Sequence, residues 1–368
     1  MLVNNWLFIL PTDSVQGSEH IVQSLARHIT LQSGICRVII LTKKNSLGWA
    51  ADEARMLITY LPFLSYTQGI LWLIPHLIFN FKTYKNIDYT FTSQTLINGS
   101  IGLAKRLGLL RNAKVVVRES NSIFELLQGM KLKIYTLFYT LGYKGASLVI
   151  CQTNYMKEQL LKALPRLGKH LHIQVIPNPF NFMDSTTKIG ELLPEYTGKR
   201  FLVAAGRLAP AKGFDLLIDA FHEIQKEHQD LHLIILGEGK DRELLMTKIR
   251  QLNLEGKIHM PGYVTNVYPY FKAAACCVLS SRIEGFPNVL LQMMSQNTKI
   301  VATLSAGDID NIPGLFTCPT HDTAKLTATI LVALGTDTEG NKPVFKRFLK
   351  ERTQEGFYNS ILNFTTTT

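Results

Sequence analysis

The feature that most constrains this chain is a double run of short apolar strands alternating with helical patterns, interrupted once by Pro177-Asn178-Pro179. In the first run, residues 6–10, 36–41, 87–92, 114–118, 147–152 and 172–176 read as buried strands, with helical spacing at 19–30 and 98–107 between them. After 177–179 the pattern lapses until residue 199. It then resumes at 201–206, 231–237, 257–260, 275–280, 299–303 and 315–318. Near-continuous apolar strands of four to eight residues, separated by helices, predict α/β architecture with parallel sheets covered on both faces. The expected domains are 1–180, a linker at 181–198, a second domain at 199–344, and a terminal helical segment at 345–368 that crosses back to the first. Two such sheets imply an interdomain cleft, and open α/β sheets bind ligands beyond the carboxyl ends of their strands.

The formal charge of +11 is unevenly placed. Residues 1–180 hold 19 Lys/Arg against 8 Asp/Glu, and residues 181–368 hold 20 of each. That asymmetry points to an anionic partner for the first half: a phosphate-bearing lipid, an anionic membrane surface or nucleic acid. No arginine-rich arm, zinc-finger spacing or aromatic RNA-binding run is present, which excludes nucleic acid from the expectation. The five cysteines have neither C-x-x-C spacing nor histidine companions, so reduced thiols in a cytoplasmic protein are expected. The run Trp6-Leu7-Phe8-Ile9-Leu10, stopped by Pro11 and lacking a basic leader, reads as a first strand and not a signal peptide. Residues 57–81 contain no Asp, Glu, Lys or Arg, but Pro62, Gln68, Pro75 and His76 interrupt them. A helix, either buried or lying along a membrane interface, fits this stretch better than a span.

The densest chemical motif is Ser280-Ser281-Arg282-Ile283-Glu284-Gly285-Phe286-Pro287-Asn288-Val289-Leu290-Leu291-Gln292. It reads as strand, Gly/Pro loop and helix start, with Pro287 at the helix entry. Glu284 stands at the loop tip, where a sugar hydroxyl needs an acceptor, and Gln292 follows Asn288 by one turn. Upstream, the strand at 201–206 runs into Arg207-Leu208-Ala209-Pro210-Ala211-Lys212-Gly213-Phe214, which puts two cations five residues apart at a strand end. Cations placed there can stabilise a leaving diphosphate. Gly237-Glu238-Gly239 marks a further tight turn.

Together, the order G-R-L-x-x-x-K-G-F-D, L-G-E-G, P-G-Y-V and S-R-x-E-G-F-P-N-V-L-L resembles the nucleotide-sugar half of family-4 retaining glycosyltransferases of the GT-B fold. In the first half, Asp13-Ser14-Val15-Gln16-Gly17-Ser18-Glu19 is similar to that family's glycine loop. Gln152-Thr153-Asn154-Tyr155-Met156-Lys157 is similar to its "S-x-x-M-K" turn, and Val175-Ile176-Pro177-Asn178-Pro179-Phe180 to its interdomain signature. The resemblance implies two facing Rossmann-like domains with a deep interdomain cleft. It implies that Arg207 and Lys212 hold the donor diphosphate, that Glu284 engages the donor sugar, and that Gly285, Phe286, Pro287, Asn288 and Val289 give backbone contacts. Gly17 would let the opposite domain close on the phosphates, the Gly237 turn would let the backbone approach the donor, Tyr263 and Val264 would lie near the base, and chemistry would proceed by front-face attack.

Two positions depart from the family pattern. Gln292 stands where a second glutamate usually binds the ribose. Arg118-Glu119-Ser120-Asn121 stands where many relatives carry a histidine. Either Glu119 takes part in the acceptor region with Arg118, or the pair braces the domain. The expected activity is transfer of a hexose or N-acetylhexosamine from a nucleotide sugar, a UDP-sugar before a GDP-sugar. The expected acceptor is a polyprenyl-diphosphate-linked glycan of O-antigen or capsule type, met by a peripheral protein at the inner face of the cell membrane. No D-x-D stands at a strand end, so neither a metal nor another cofactor is expected. The alternatives are a nucleotide-sugar-binding protein with impaired catalysis and a GT-B sugar-nucleotide epimerase.

Overall fold

The structure, a computed structural model, describes residues 4–14, 17–44, 49, 55–182, 185, 190, 192 and 194–366. It falls into two compact units, Met1–Pro179 with Gln354–Thr368, and Phe180–Thr353. Among the described residues, the first unit is built on a sheet of seven parallel strands. In chain order these are β1 Asn5–Leu10, β2 Ile35–Ile40, β3 Met56–Tyr60, β4 Tyr89–Thr92, β5 Lys114–Arg118, β6 Leu148–Cys151 and β7 Ile173–Val175. Their lateral order is β3-β2-β1-β4-β5-β6-β7, so the chain reverses its direction of travel between β1 and β4. Leu7 and Ile9 belong to the core on one face, Trp6, Phe8 and Leu10 to the core on the other. A strand covered on both sides has no polar face, which is why NWLFIL reads as an apolar run without alternation.

The second unit carries a six-stranded sheet: β8 Arg200–Ala205, β9 Leu231–Leu236, β10 Ile258–Gly262, β11 Cys276–Leu279, β12 Ile300–Thr303 and β13 Phe316–Cys318. The order is β10-β9-β8-β11-β12-β13, again parallel throughout, with the reversal between β8 and β11. Both units are therefore Rossmann-like, each with helices on its sheet.

Three expectations change. The uncharged stretch 57–81 is not one helix: its start is the edge strand β3, and a helix follows at Tyr66–Phe79. Ile58, Thr59 and Tyr60 favour a strand, Pro62 follows it, and Ser65 caps the helix by accepting from the Thr67 amide. Among the described residues of the stretch expected as a linker at 181–198, Tyr196 joins Phe180 in the second unit's core, and Phe182 and Leu192 pack against it. The terminal segment is two helices, not one. Phe345 and Leu349 on Asn341–Lys350 stay in the second unit's core, whereas Phe357, Tyr358 and Ile361 on Gln354–Thr366 complete a core of the first.

On the other face of the first sheet, the helix Thr95–Arg106 is crossed by Gly129–Gly142 with backbone against backbone. A Cβ on Gly142 would lie 1.9 Å from the Gly99 carbonyl oxygen, and one on Gly102 would lie 2.1 Å from the Gly142 oxygen. Only glycine permits that approach.

Candidate functional site

The loops leaving β8 and β11 start at the point where the second sheet reverses its order, the place where open α/β sheets form a ligand crevice. Arg207 and Lys212 lie on the first loop, Glu284 on the second. The structure brings Lys212 and Glu284 together: Nζ is 2.5 Å from Glu284 Oε1, and Ser281 Oγ donates to the same oxygen at 2.7 Å. Both side chains are mostly shielded, at 23% and 13% exposure. Arg207 is exposed, and among the described residues its guanidinium has no hydrogen bond or ion pair.

The pair is held by its surroundings and not by chance rotamers. Gly213 is left-handed at φ 62°, and a Cβ there would lie 2.2 Å from the Ser280 carbonyl oxygen, so the two loops touch through backbone. Ser280 Oγ donates to the Lys212 carbonyl at 3.0 Å, and the Arg282 amide donates to the Ala211 carbonyl at 2.7 Å. The Arg282 guanidinium grips Asp215 with two bonds, 2.8 and 2.6 Å, and also donates to the Pro210 carbonyl at 2.7 Å. Underneath, Thr303 Oγ1 donates to the Ser281 carbonyl at 2.5 Å, and the Glu284 amide donates to the Ser305 carbonyl at 2.7 Å. Such support fixes a charged constellation before a ligand arrives.

Partial burial pushes the Asp215 carboxyl upward, but the hydrogen bonds and charge of Arg282 outweigh it and hold the carboxyl below its ordinary value. A lowered native value means stability that is complete above the unfolded carboxylate range, around pH 4, and is lost as the pH falls through the native value. Asp215→Asn is therefore expected to lower the urea midpoint at pH 7, and the gap from wild type is expected to close on acidification toward pH 3. An equal gap at both pH values would count against the assignment.

Gly237, at φ 135°, brings the end of β9 against β8: a Cβ would lie 1.9 Å from the Gly206 carbonyl oxygen. Tyr263, just past β10, is exposed, and Val264 leans on the second unit's core. Gly285 and Pro287 are buried, Asn288 and Val289 partly so, and the Asn288–Met294 helix begins after Pro287. The Phe286 side chain is a core residue, 5% exposed, with the Arg352 guanidinium 4.8 Å from its ring centre. Its ring is therefore spent on the core. Gln292 is half-buried, and its side-chain amide has no hydrogen bond among the described residues.

In the first unit, Gly17 precedes the Ser18–Leu31 helix at φ 57°, and a Cβ there would meet nothing within 4 Å. Val15 and Gln16 of the same loop lie outside the described residues. Arg118 and Glu119, at the end of β5, are 1% and 2% exposed. Tyr139 and Tyr143 both donate to the Glu119 carboxylate, with Asn98 Nδ2 at 3.4 Å. Arg118 donates to Ser93 Oγ at 2.6 Å and Asn178 Oδ1 at 2.5 Å. Burial raises the Glu119 carboxyl and lowers Arg118 to about 10. The crevice beside Glu119 is about 10 Å³, room for about one water and not for a sugar. Of the two expectations for this pair, the burial and these hydrogen bonds support the bracing one, and among the described residues the buried Arg118 Nε has no hydrogen-bond partner.

Ser281, Arg282, Asp215 and Thr303 were not singled out from sequence. Asp215 and Arg282 are 67 residues apart and look like surface charges until the loops meet.

A family model described as "Glycosyl transferases group 1" matches residues 199–336. The chain carries a group 1 glycosyl transferase domain. That domain contains β8 to β13 and the whole Lys212–Glu284 junction. An uncharacterised glycosyltransferase of Methanocaldococcus jannaschii is 28% identical over 230 residues, covering 59% of this chain and 53% of the relative. The Campylobacter jejuni N-acetylgalactosamine-N,N'-diacetylbacillosaminyl-diphospho-undecaprenol 4-alpha-N-acetylgalactosaminyltransferase is 36% identical over 104 residues, 28% of each chain. The chain thus spans about half or less of the length of these curated relatives. Over its full length it superposes on Anabaena Alr3699/HepE, solved in complex with UDP, with TM-score 0.80, 15% identity and 100% coverage of both chains. The group 1 domain and the unit before it together have the GT-B fold.

Proposed function

We propose that the chain is a retaining, metal-independent glycosyltransferase that moves a hexose or N-acetylhexosamine from a UDP-sugar to a polyprenyl-diphosphate-linked glycan of a surface polysaccharide. It would work in the cytoplasm at the inner face of the cell membrane. The observation that carries this reading is the preset Lys212–Glu284 pair at the switch point of the group 1 domain, with an exposed Arg207 on the same loop as Lys212. A diphosphate entering there takes Lys212 as a partner in place of Glu284, and Arg207 adds a second cation. Glu284 is then left to accept from hydroxyls of the sugar. As the sugar–phosphate bond breaks, the two cations stabilise the charge gathering on the departing UDP. Within this reading they supply the positive charge that a divalent ion supplies elsewhere. Tyr263, exposed beyond β10, would meet the base in this reading. Support for UDP is the complex named for HepE, and support for a lipid-diphosphate acceptor is the name of the Campylobacter relative.

Titration calorimetry of UDP, GDP and ADP, with EDTA present, tests the donor site. UDP is expected to bind most tightly, and Lys212→Ala to weaken it by about tenfold or more. Activity abolished by EDTA and restored by magnesium or manganese would overturn the metal-independent part. Gln292 favours one second reading, a nucleotide-sugar-binding protein with impaired catalysis, because the ribose hydroxyls would face a neutral amide in place of a carboxylate. UDP-sugar binding without product formation would select it.

A further inference from the structure

We propose that the face of the first unit formed by the helices Tyr66–Phe79 and Gly129–Gly142 is a docking surface for an anionic lipid bilayer. This deepens the membrane partner of the proposed function and rests on that reading for its biological sense.

A helix at the surface of a globular unit normally turns polar residues outward. Tyr66–Phe79 (YTQGILWLIPHLIF) does not. Its inner side buries Ile70, Leu73 and Leu77, yet Leu71, Trp72 and Phe79 are 76%, 43% and 77% exposed. On Gly129–Gly142, Met130, Ile134, Leu137 and Leu141 are spaced by four, three and four residues and form one exposed stripe, with Met130 at 70%. Both helices pack on Thr95–Arg106, and an open apolar pocket of about 170 Å³ lies between them. Leu71 lines one wall and Leu141 the other, so the two stripes border one continuous groove floored by Gly99 and Ser100. An uninterrupted apolar face of this kind marks an interaction site.

Charge says what covers it. Residues 57–157 contain 11 Lys/Arg and 3 Asp/Glu, which accounts for most of the chain's net positive charge. Of the three acids, Asp88 accepts from the Asn5 amide, Glu119 is buried, and Glu125 takes Tyr155 and Gln159. Lys131 and Lys133 flank the stripe on its own helix, Lys144 lies in the turn just after it, Lys82 and Lys85 follow the other helix, and Arg106 is bonded to the Leu141 carbonyl; all six are exposed. Apolar and aromatic side chains rimmed by lysines match the chemistry of a membrane interface, where the former enter the acyl boundary and the latter meet anionic headgroups. Fourteen residues of helix extend about 21 Å, short of the roughly 30 Å hydrocarbon core, so the helix lies on the bilayer and does not cross it. Among the described residues, no helix is long and apolar enough to span.

The test is sedimentation of the full chain with phosphatidylglycerol/phosphatidylcholine vesicles and with pure phosphatidylcholine vesicles. Strong partitioning to the anionic vesicles is expected, reduced by about tenfold or more in Leu71→Ser/Trp72→Ser and in Lys131→Glu/Lys133→Glu. These positions are exposed, so circular dichroism and UDP binding are expected to stay at wild-type values. Binding of wild type with no effect of either variant would overturn the proposal, as would no binding at all. If sedimentation velocity without lipid shows a dimer that Trp72→Ser converts to monomer, a second copy covers the face and the proposal falls. Transfer to a polyprenyl-diphosphate acceptor in detergent is read separately. Transfer without vesicle binding would sink the docking surface alone, and vesicle binding without transfer would sink the functional reading alone.

Discussion

Lys212→Ala is expected to lower sugar transfer by about two to three orders of magnitude in kcat, comparable to removing one preorganised charged donor from other transferring sites. The effect is expected to be mainly on turnover, because the charge that Lys212 meets grows as the bond to the departing diphosphate breaks. Glu284→Ala should be as damaging for a different reason: in the proposed reading it removes the hydrogen-bond acceptor for the sugar hydroxyls, and it leaves a partly shielded ammonium without its 2.5 Å counter-ion. The loops should survive both changes, because the grip between them passes through Arg282, Asp215, Ser280 and Thr303. Thermal melting within a few degrees of wild type, with transfer lost, is the expected pair of readings. Near-normal turnover in both variants would remove the switch-point junction from the chemistry.

Gly142→Val is expected to be the most destabilising single change on the far face of the first sheet, by about 3 kcal/mol or more. Its Cβ alone would stand 1.9 Å from the Gly99 carbonyl oxygen, and the close backbone packing around Gly102 and Gly145, where a Cβ would likewise stand 2.1 Å from a carbonyl oxygen, would have to open with it. The clash is with backbone, so no rotamer change relieves it. Gly256→Ala, where a Cβ meets nothing within 4 Å, is the control and should move the urea midpoint little. Equal midpoints for the two variants would mean that the helices can part without cost.

All strands but one were legible, because parallel strands buried on both faces concentrate Val, Ile and Leu in runs of four to eight residues, too short for the usual buried helix. β3 was not. Its residues Met56–Tyr60 flow into another apolar segment, and the lack of any charge across 57–81 masks the boundary that Pro62 and the Ser65 cap mark. The cations of the loop after β8 and Glu284 after β11 were legible as strand-end residues, and their meeting was not, since 72 residues separate Lys212 from Glu284. Glu119 is the reverse case. A carboxylate at a strand end looks available for chemistry, and only the fold reveals two tyrosines, 20 and 24 residues onward, already bound to it. Phe286 is similar: within a loop motif an aromatic can line a pocket or plug a core, and packing alone decides.

The return of Gln354–Thr366 to the first unit sets a rule for anyone recombining this chain. A fragment ending at residue 179 omits Phe357, Tyr358 and Ile361, three fully or nearly buried side chains of the core that holds Trp6 and Phe8. Cutting at the 179/180 boundary thus yields one piece with an open hydrophobic wound and another with a surplus greasy tail. A chimera that borrows a foreign group 1 domain should keep native sequence at both ends and graft only the interval between them.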